Sequence, residues 1–246
     1  MLFYSMWLKE ICALVSRCGS YLYYYASMPA HDCTPNSSWV INSKCEFIIR
    51  ASVPIKAGES ITHLYAQPTM GTQERRQYLH SSKYFDCICK RCSDPTELGT
   101  YFSAVKCPIC PPGYLLMENP TSEEVSEWKC DHCNRKMPKE FAEEVISRIQ
   151  ANYLIGDDSD MKSINTLEKI IKSYSGKTVH PNHYCLHTIK NDMIQRMSFL
   201  LSTSTLQLEN ERFEVAERMV AAVRQCLNIA EVIWPGYNRH RGKTGL

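Results

Sequence analysis

The sequence predicts an α+β fold in which a β-rich part, a cysteine-rich part and a helical part follow one another along the chain. Residues 21–66 contain short aromatic and β-branched runs separated by Pro, Gly, Asn and Ser, which is typical of strands and turns. Residues 84–135 are rich in cysteine and proline and show little periodicity, so we expect metal rather than an apolar core to hold them. After Met137, apolar residues recur at helical spacing.

Composition limits the classes of protein to consider. The chain has 246 residues, of which 44% are hydrophobic, so it can form a core. The net charge is +2 and no long Lys/Arg stripe occurs, so charge does not indicate nucleic-acid binding. Residues 1–20 are apolar but are interrupted by Lys9, Glu10 and Arg17, so a buried strand or helix fits them better than a membrane anchor.

The β-rich part contains three predicted strands and one predicted helix. The strands are YLYYY (21–25), EFIIRASV (46–53) and ITHLY (61–65), with a glycine turn in IKAGES (55–60). A short polar helix is expected over residues 72–82, with QERR (73–76) on its exposed face. Four further helices are predicted over residues 140–154, 162–175, 183–201 and 209–234, arranged as a bundle or as the start of a helical-hairpin array.

Cysteine usage indicates metal and a reducing compartment, which is to say the cytoplasm, the nucleus or both. Thirteen cysteines are present, and clustering of this kind favours metal over a disulfide framework. CPIC (107–110) and CDHC (130–133) have the spacing of a four-cysteine zinc site, with Cys107, Cys110, Cys130 and Cys133 as ligands. A redox CxxC pair is disfavoured, because no βαβ unit surrounds either motif.

A second cysteine cluster, CICKRC (87–92), is one ligand short of a tetrahedral site. It offers Cys87, Cys89 and Cys92, whereas structural zinc takes four ligands. Spacing alone does not select the fourth. The candidates are Cys12, Cys18, Cys33, Cys45, Cys185, Cys226 and any histidine, and Cys33 stands out because it lies in the polar turn HDCTPN (31–36).

Taken in order, several motifs resemble the C-terminal half of a SET domain with its post-SET cysteines. They are HDCTPN (31–36), GESITHLY (58–65) and KYFDCICKRC (83–92). HPNHY (180–184) and EVIWPGYNRHRG (231–242) are similar to the helical tail of the SET and MYND (SMYD) methyltransferases, and the CxxC knuckles are similar to insect members of that family. The resemblance covers roughly residues 21–242.

The resemblance implies a set of roles and a division of the chain. Cys33 is implied as the fourth ligand of the CICKRC zinc, Tyr65 as the catalytic tyrosine, and His31 and Phe85 as contacts of S-adenosylmethionine. The implied activity is methylation of a lysine side chain in a histone or non-histone protein. The divisions are an N-terminal segment (1–20), the C-terminal half of a SET domain (21–86), a post-SET and zinc-knuckle region (87–135) and a TPR-like helical domain (136–246), which offers a surface for protein partners.

Some positions depart from the family pattern and support a second hypothesis. Ala30 stands where the family has a cofactor-binding Asn, and Lys83 stands where many relatives have a second channel tyrosine, with Tyr84 one position away. No counterpart of the MYND cluster or of the N-terminal part of the SET domain is evident, so we expect a fragment or short isoform. The alternative function is therefore a catalytically inactive, zinc-binding interaction module.

Two other groups of residues are expected to have structural roles. His183 and His187 are four apart on a predicted helix, but Tyr184 stands where a zinc protease has its Glu, so a solvated or capping role is expected. The remaining cysteines, such as Cys45 and Cys226, are expected to be buried as small hydrophobic residues.

Overall fold

The computed structural model describes residues 23–122, 127–153, 160–203 and 208–236, which combine helices with strands. This confirms a mixed α and β fold. The N-terminal segment 1–20, with Cys12 and Cys18, lies outside the described residues, as does NRHRG at the end of the last motif. The division into domains remains a prediction.

The first part contains two small pairs of strands. Strands β1 (Ala30–His31) and β4 (Thr62–His63) pair in parallel, with His31 opposite His63. Strands β2 (Ser37–Ile41) and β3 (Phe47–Ala51) form an antiparallel hairpin. The glycine turn between β3 and β4 is present, and Gly58 takes φ +83°, which costs glycine little because it has no Cβ.

The prediction of a strand at YLYYY is wrong for its described residues. Tyr25–Ser27 form a 3₁₀ turn instead. The side chain of Tyr23 ties this segment to the hairpin, because its ring packs 5.2 Å from that of Phe47 and its hydroxyl donates to the Cys45 carbonyl at 2.6 Å. Side-chain packing has replaced the backbone pairing that the aromatic run predicted.

Two helices follow the strands. Helix α1 (Thr72–Lys83) confirms the predicted polar helix, and α2 (Lys90–Ser93) is a single turn within the cysteine-rich part. Helix α1 begins after Gly71, whose missing Cβ leaves room for the ring of Tyr184, and the Tyr184 hydroxyl donates to Glu74 at 2.8 Å. These contacts join the first part of the chain to the helices at its end.

The cysteine-rich part contains a sheet and shares an apolar core with the helices. Strands β5 (Val105–Lys106), β6 (Tyr114–Met117), β7 (Glu127–Cys130) and β8 (Lys136–Pro138) pair antiparallel in that order. The expectation of little core here is wrong, because Val105, Leu115 and Trp128 are buried in one cluster with helical side chains. Strands this short gave no periodic signal, although β5, β6 and β7 contribute one, three and two buried residues, respectively.

The four predicted C-terminal helices are confirmed. They are α3 (Lys139–Tyr153), α4 (Met161–Tyr174), α5 (Tyr184–Ser202) and α6 (Glu209–Ile233). Asp160 caps α4 by accepting the Ser163 N–H at 2.6 Å. Leucine and isoleucine side chains such as Ile149, Leu167 and Leu186 are fully buried between the helices, and burial of each stabilises the fold by about 1.5–3 kcal/mol. None of the described helices is long and apolar enough to cross a membrane.

Candidate metal and cofactor site

The structure brings Cys33 to the three cysteines of CICKRC. The ligand atoms of Cys33, Cys87, Cys89 and Cys92 lie within 4.8 Å of one another, and we name these residues the first cluster. Cys33 comes from the loop between β1 and β2, Cys87 and Cys89 come from the turn before α2, and Cys92 lies in α2 itself. Among the described alternatives, Cys45 is exposed and Cys185 and Cys226 are buried in the helical core.

A network of hydrogen bonds fixes the loop that carries Cys33. The Asp32 side chain accepts the Thr34 N–H at 2.7 Å, which forms a tight Asx turn around the cysteine. Asn36 accepts the Thr62 N–H at 2.8 Å and donates its own N–H to the Thr62 hydroxyl at 3.1 Å. The Ser37 hydroxyl also donates to the Thr62 carbonyl at 2.8 Å. The loop is therefore fastened to β4, the strand that leads to Tyr65.

Two arginines of α1 are buried against the first cluster, so the expected exposed face at QERR is wrong for them. Arg75 donates from Nε to Cys33 Sγ at 3.1 Å and from a terminal nitrogen to Cys92 Sγ at 3.5 Å. Arg76 donates to the carbonyls of Cys87 and Thr121. The pattern of polar residues predicted an exposed face because it could not show that sulfurs and carbonyls would accept these donors.

The chemistry of the first cluster fits a divalent metal such as zinc. A hydrogen bond with Cys33 is the main cause that lowers the pKa of the Cys89 thiol to about 6, and it also lowers the pKa of the Cys92 thiol. Hydrogen bonds with Cys87, Cys89 and Cys92 in turn raise the pKa of the Cys33 thiol. Thiols that share protons in this way can exchange them for a cation, and four sulfurs are a usual ligand set for structural zinc.

A second cluster forms where the four-stranded sheet ends. The sulfurs of Cys107, Cys110, Cys130 and Cys133 lie within 4.8 Å of one another, and we name these residues the second cluster. Gly113 lies against it, and a Cβ there would approach Cys110 Sγ to 2.6 Å. The sulfurs thus occupy space that only glycine leaves, and this set also fits a structural zinc.

Three half-buried rings lie next to the first cluster. The ring of His31 is 5.2 Å from that of Tyr65 and 5.6 Å from that of Phe85, and Tyr65 and Phe85 are 6.3 Å apart. Each ring keeps part of its surface open. The chemistry of the three rings fits one wall of a site for an aromatic and cationic molecule.

His31 connects these rings to the first cluster. Its Nδ1 accepts the backbone N–H of Tyr65 at 3.0 Å, and its Nε2 lies 3.2 Å from Cys33 Sγ. Burial lowers the pKa of His31 to about 4, so the ring is neutral at physiological pH. With Nδ1 as acceptor, Nε2 carries the proton and donates toward the sulfur.

Tyr65 is held as a neutral phenol. Its hydroxyl donates to the Pro29 carbonyl at 2.7 Å, and burial raises the pKa of Tyr65. Because the only hydroxyl hydrogen is engaged, the phenol oxygen can interact with a further donor only as an acceptor.

The departures from the family pattern lie at the edge of these rings. Ala30 is exposed in β1, and Lys83 is half-buried at the end of α1. Tyr84 is 81% exposed and takes the left-handed conformation (φ 60°) that ends α1. In the structure described here its side chain lies at the surface, so Tyr84 does not extend the ring cluster.

Other expectations about single residues have mixed outcomes. The expected burial of Cys45 is wrong: Cys45 is exposed because it lies in the turn between β2 and β3. Cys226 is buried as expected. His183 caps α5 by accepting the Cys185 N–H at 3.2 Å, as expected, but neither His183 nor His187 is solvated. Both are buried: the ring of His187 packs 5.5 Å from that of Phe102, and the ring of His183 stacks 4.5 Å from that of Tyr184.

A pocket of about 290 Å³ lies where α1, α3 and α5 meet. Met70 and Glu74 line it from the first part of the chain, and Tyr153, Tyr184 and Ile189 line it from the helices. No sequence motif predicted it, because its walls come from segments far apart along the chain.

Here a cysteine cluster joins the polar loop after β1 to the segment that follows α1, beside a neutral tyrosine. This is the arrangement expected of a SET domain with its post-SET cysteines. Comparison with known proteins agrees. The chain is 34% identical over 117 residues to the SET domain-containing protein SmydA-8, isoform B, of Drosophila melanogaster, a match that covers 48% of this chain and 26% of the relative. It is 35% identical over 91 residues to the histone-lysine N-methyltransferase SMYD3 of Homo sapiens, covering 34% of this chain and 21% of the relative.

A third relative extends the comparison beyond animals. A SET and MYND domain-containing protein of Dictyostelium discoideum is 27% identical over 146 residues, which cover 53% of this chain and 36% of the relative. No protein-family model matches the chain. The chain thus spans about a quarter of the length of the first curated relatives it matches. Over the matched part, the resemblance to the SET and MYND family is confirmed.

Proposed function

We propose that this chain contributes the C-terminal part of a SET-type site that transfers a methyl group from S-adenosylmethionine to a lysine side chain of a protein. The observation that carries the proposal is the position of His31, which contacts the Tyr65 backbone on one side and Cys33 Sγ on the other. The implied catalytic residue, a cofactor contact and a metal ligand are thereby joined in one hydrogen-bonded unit.

In this proposal Tyr65 orients the lysine amine. Its hydroxyl hydrogen is engaged with Pro29, so its oxygen accepts a hydrogen bond from the incoming nitrogen. That contact directs the nitrogen lone pair, and in-line displacement depends on such alignment. The desolvation that keeps Tyr65 neutral also favours the uncharged lysine amine, which is the nucleophilic form.

His31 and Phe85 form the wall for the cofactor. S-adenosylmethionine supplies an electrophilic methyl group on a sulfonium sulfur. The faces of Phe85 and Tyr65 suit a cation, and the neutral ring of His31 adds no competing charge.

Two zinc ions would complete the proposed structure. At the first cluster, zinc would hold the HDCTPN loop against the turn into α2 and so keep His31 beside Tyr65 and Phe85. At the second cluster, zinc would hold the two CxxC turns together at the end of the sheet. Neither role involves the transferred methyl group.

The proposed substrate class follows from the relatives. They include proteins named histone-lysine N-methyltransferase and protein-lysine N-methyltransferase. The substrate proposed for this chain is a lysine of a histone or non-histone protein. The proposed partner surface on the helices is supported by Phe199 and Phe213, which are 55% and 65% exposed on α5 and α6.

The test compares Tyr65→Phe with the unchanged chain. Isothermal titration is expected to show S-adenosylmethionine binding in both, because the ring is kept, while methyl transfer to lysine peptides is largely lost in the variant. Tyr84→Phe is the matched control, since Tyr84 is exposed and its variant should turn over normally. Unchanged turnover in Tyr65→Phe would remove the assigned role.

A second candidate function is a zinc-stabilised interaction module without catalysis. Ala30 favours it, because an exposed methyl group cannot supply the amide hydrogen bonds of the family's Asn. The exposed position of Tyr84 favours it too. A folded, zinc-loaded protein that fails to bind S-adenosylmethionine at high concentration would support this candidate over the enzyme.

A further inference from the structure

A buried cluster of charges lies behind the first cluster, and no sequence motif predicted it. Arg75, Arg91 and Glu97 all have side chains no more than 1% exposed. Arg91 Nε donates to Glu97 at 3.0 Å, and Arg75 lies 3.5 Å from the same carboxylate oxygen. Charged side chains are costly to bury, so each needs partners that offset the loss of water.

The partners of Arg75 include two metal ligands. Besides Glu97, its guanidinium donates to the Met70 carbonyl at 2.9 Å, to the Thr72 hydroxyl at 3.0 Å, and to the sulfurs of Cys33 and Cys92. A planar guanidinium presents its donors in a fixed fork, so it can reach two sulfurs at once. Four thiolates around a divalent cation carry excess negative charge, which a buried cation offsets strongly.

The other contacts fix Arg75 in place. Glu97 accepts from Arg75, Arg91 and the Ser103 hydroxyl, and the Arg91 guanidinium lies 5.5 Å from the centre of the Phe102 ring. Phe102 packs on the helical part through Tyr184 and His187. The guanidinium therefore reaches the sulfurs from a rigid support.

We propose that Arg75 is a positioning residue for the metal of the first cluster: it donates to Cys33 and Cys92, offsets the charge of the metal-bound thiolates and slows release of the ion. This inference rests on the proposed zinc assignment. Residues that hydrogen-bond to metal ligands typically change metal affinity by about 10- to 100-fold when they are replaced.

The second cluster provides a comparison within the same chain. Its sulfurs accept a backbone N–H, from Cys133 to Cys130 at 3.5 Å, and in the described residues no arginine donates to them. Cys133 is exposed, whereas Cys33 is fully buried. Replacement of Arg75 should therefore leave the rate of zinc release from the second cluster unchanged.

The experiment measures zinc release to a colorimetric chelator from the full chain. Cys133→Ser is used as the background so that only the first cluster holds zinc. Adding Arg75→Met is expected to speed release about 10- to 100-fold, and adding Arg75→Lys should give an intermediate rate, since one ammonium cannot bridge two sulfurs in the same way. Arg196→Met is the matched control, because Arg196 is also buried but pairs with Asp192 on α5, and its release rate should equal that of the background.

Each outcome bears on one claim. Circular dichroism identifies any variant that fails to fold. If Arg75→Met fails to fold, the rate of zinc release from Arg75→Lys tests the role of Arg75 instead. Release from Arg75→Lys at the background rate would overturn the role of Arg75 while leaving the zinc assignment intact. Absence of zinc from the unchanged chain would instead remove the zinc assignment itself.

Discussion

Asn36 and Thr62 hold each other through reciprocal hydrogen bonds. The Asn36 side-chain oxygen accepts the Thr62 N–H at 2.8 Å, and the Asn36 N–H donates to the Thr62 hydroxyl at 3.1 Å. These two residues are 26 positions apart, and together they fasten the loop carrying Cys33 to the strand that precedes Tyr65. The geometry of the first cluster therefore depends on a polar contact outside it.

Replacement of Asn36 by Ala should destabilise the protein by about 1–3 kcal/mol, because the part-buried Thr62 N–H loses its acceptor and the Ser60 carbonyl loses its donor. Asn42→Ala is the matched control: Asn42 also accepts two backbone N–H groups, but in an exposed turn where water can replace it. Chemical unfolding monitored by circular dichroism measures both. Equal losses in the two variants would contradict the role given to Asn36.

Replacement of Cys33 by Ser should remove or weaken one of two bound zinc ions. Serine has no thiolate to complete the tetrahedral set, and three remaining sulfurs bind zinc less tightly. Native mass spectrometry counts the ions, and Cys45→Ser is the control, because Cys45 is exposed and outside both clusters. Two zinc ions held at full affinity in Cys33→Ser would mean that the fourth ligand is another residue.

Replacement of Gly113 by Ala should disturb the second cluster alone. The added methyl group would lie 2.6 Å from Cys110 Sγ, so the sulfur or the turn must move. The second cluster should then lose its zinc while the first cluster keeps its own. Metal analysis can assign the lost ion, because Gly113→Ala should retain one zinc and the double variant with Cys33→Ser should retain less. A chain that keeps both ions would show that the turn adjusts without cost to the ligands.

Acid should destabilise the fold through His183. Burial lowers the pKa of His183 from 6.5 to about 3, so below pH 6.5 the unfolded chain binds a proton that the folded chain does not. The stability due to this group is complete above pH 6.5 and is lost toward pH 3, with a slope of up to about 1.4 kcal/mol per pH unit.

His183→Asn tests this slope while preserving a favoured helix cap. Unfolding free energies between pH 7.5 and 5.5, with bound zinc monitored throughout, should fall less steeply in the variant. The comparison at pH 7.5 is the control, since the imidazole is neutral there in both states. Identical slopes would assign the acid sensitivity to other groups, such as His187, whose pKa burial lowers to about 4.

The periodic elements and the local metal motifs were predictable. The helices of residues 139–233 repeat apolar side chains at helical spacing over several turns, so a local pattern is enough to identify them. The CxxC turns of the second cluster likewise depend on spacing alone. The strand expected at YLYYY failed because the same aromatic side chains can be buried by ring packing without backbone pairing.

The burial of charges was not predictable from the pattern. QERR has the composition of a solvated helix face, yet Arg75 and Arg76 are buried, because their acceptors come from Cys33, Glu97 and the Cys87 carbonyl. Cys33 and Glu97 are 42 and 22 positions from Arg75, and the Cys87 carbonyl reaches Arg76 only after the chain turns back at the end of α1. A linear pattern carries no information about partners that meet only after folding.

Local patterns along the chain are enough to predict the helices, the two sets of cysteines and the order of motifs that resembles a SET domain. Contacts between distant segments establish which cysteine joins Cys87, Cys89 and Cys92, which ring lies beside Tyr65, and which arginine reaches the sulfurs. The two kinds of feature differ because a helix or a CxxC turn is closed by neighbours along the chain. A four-sulfur site built from residues 33 and 87–92 forms only after folding, when β4 holds the Cys33 loop through Asn36 and Thr62 and α1 contacts both segments through Arg75 and Arg76.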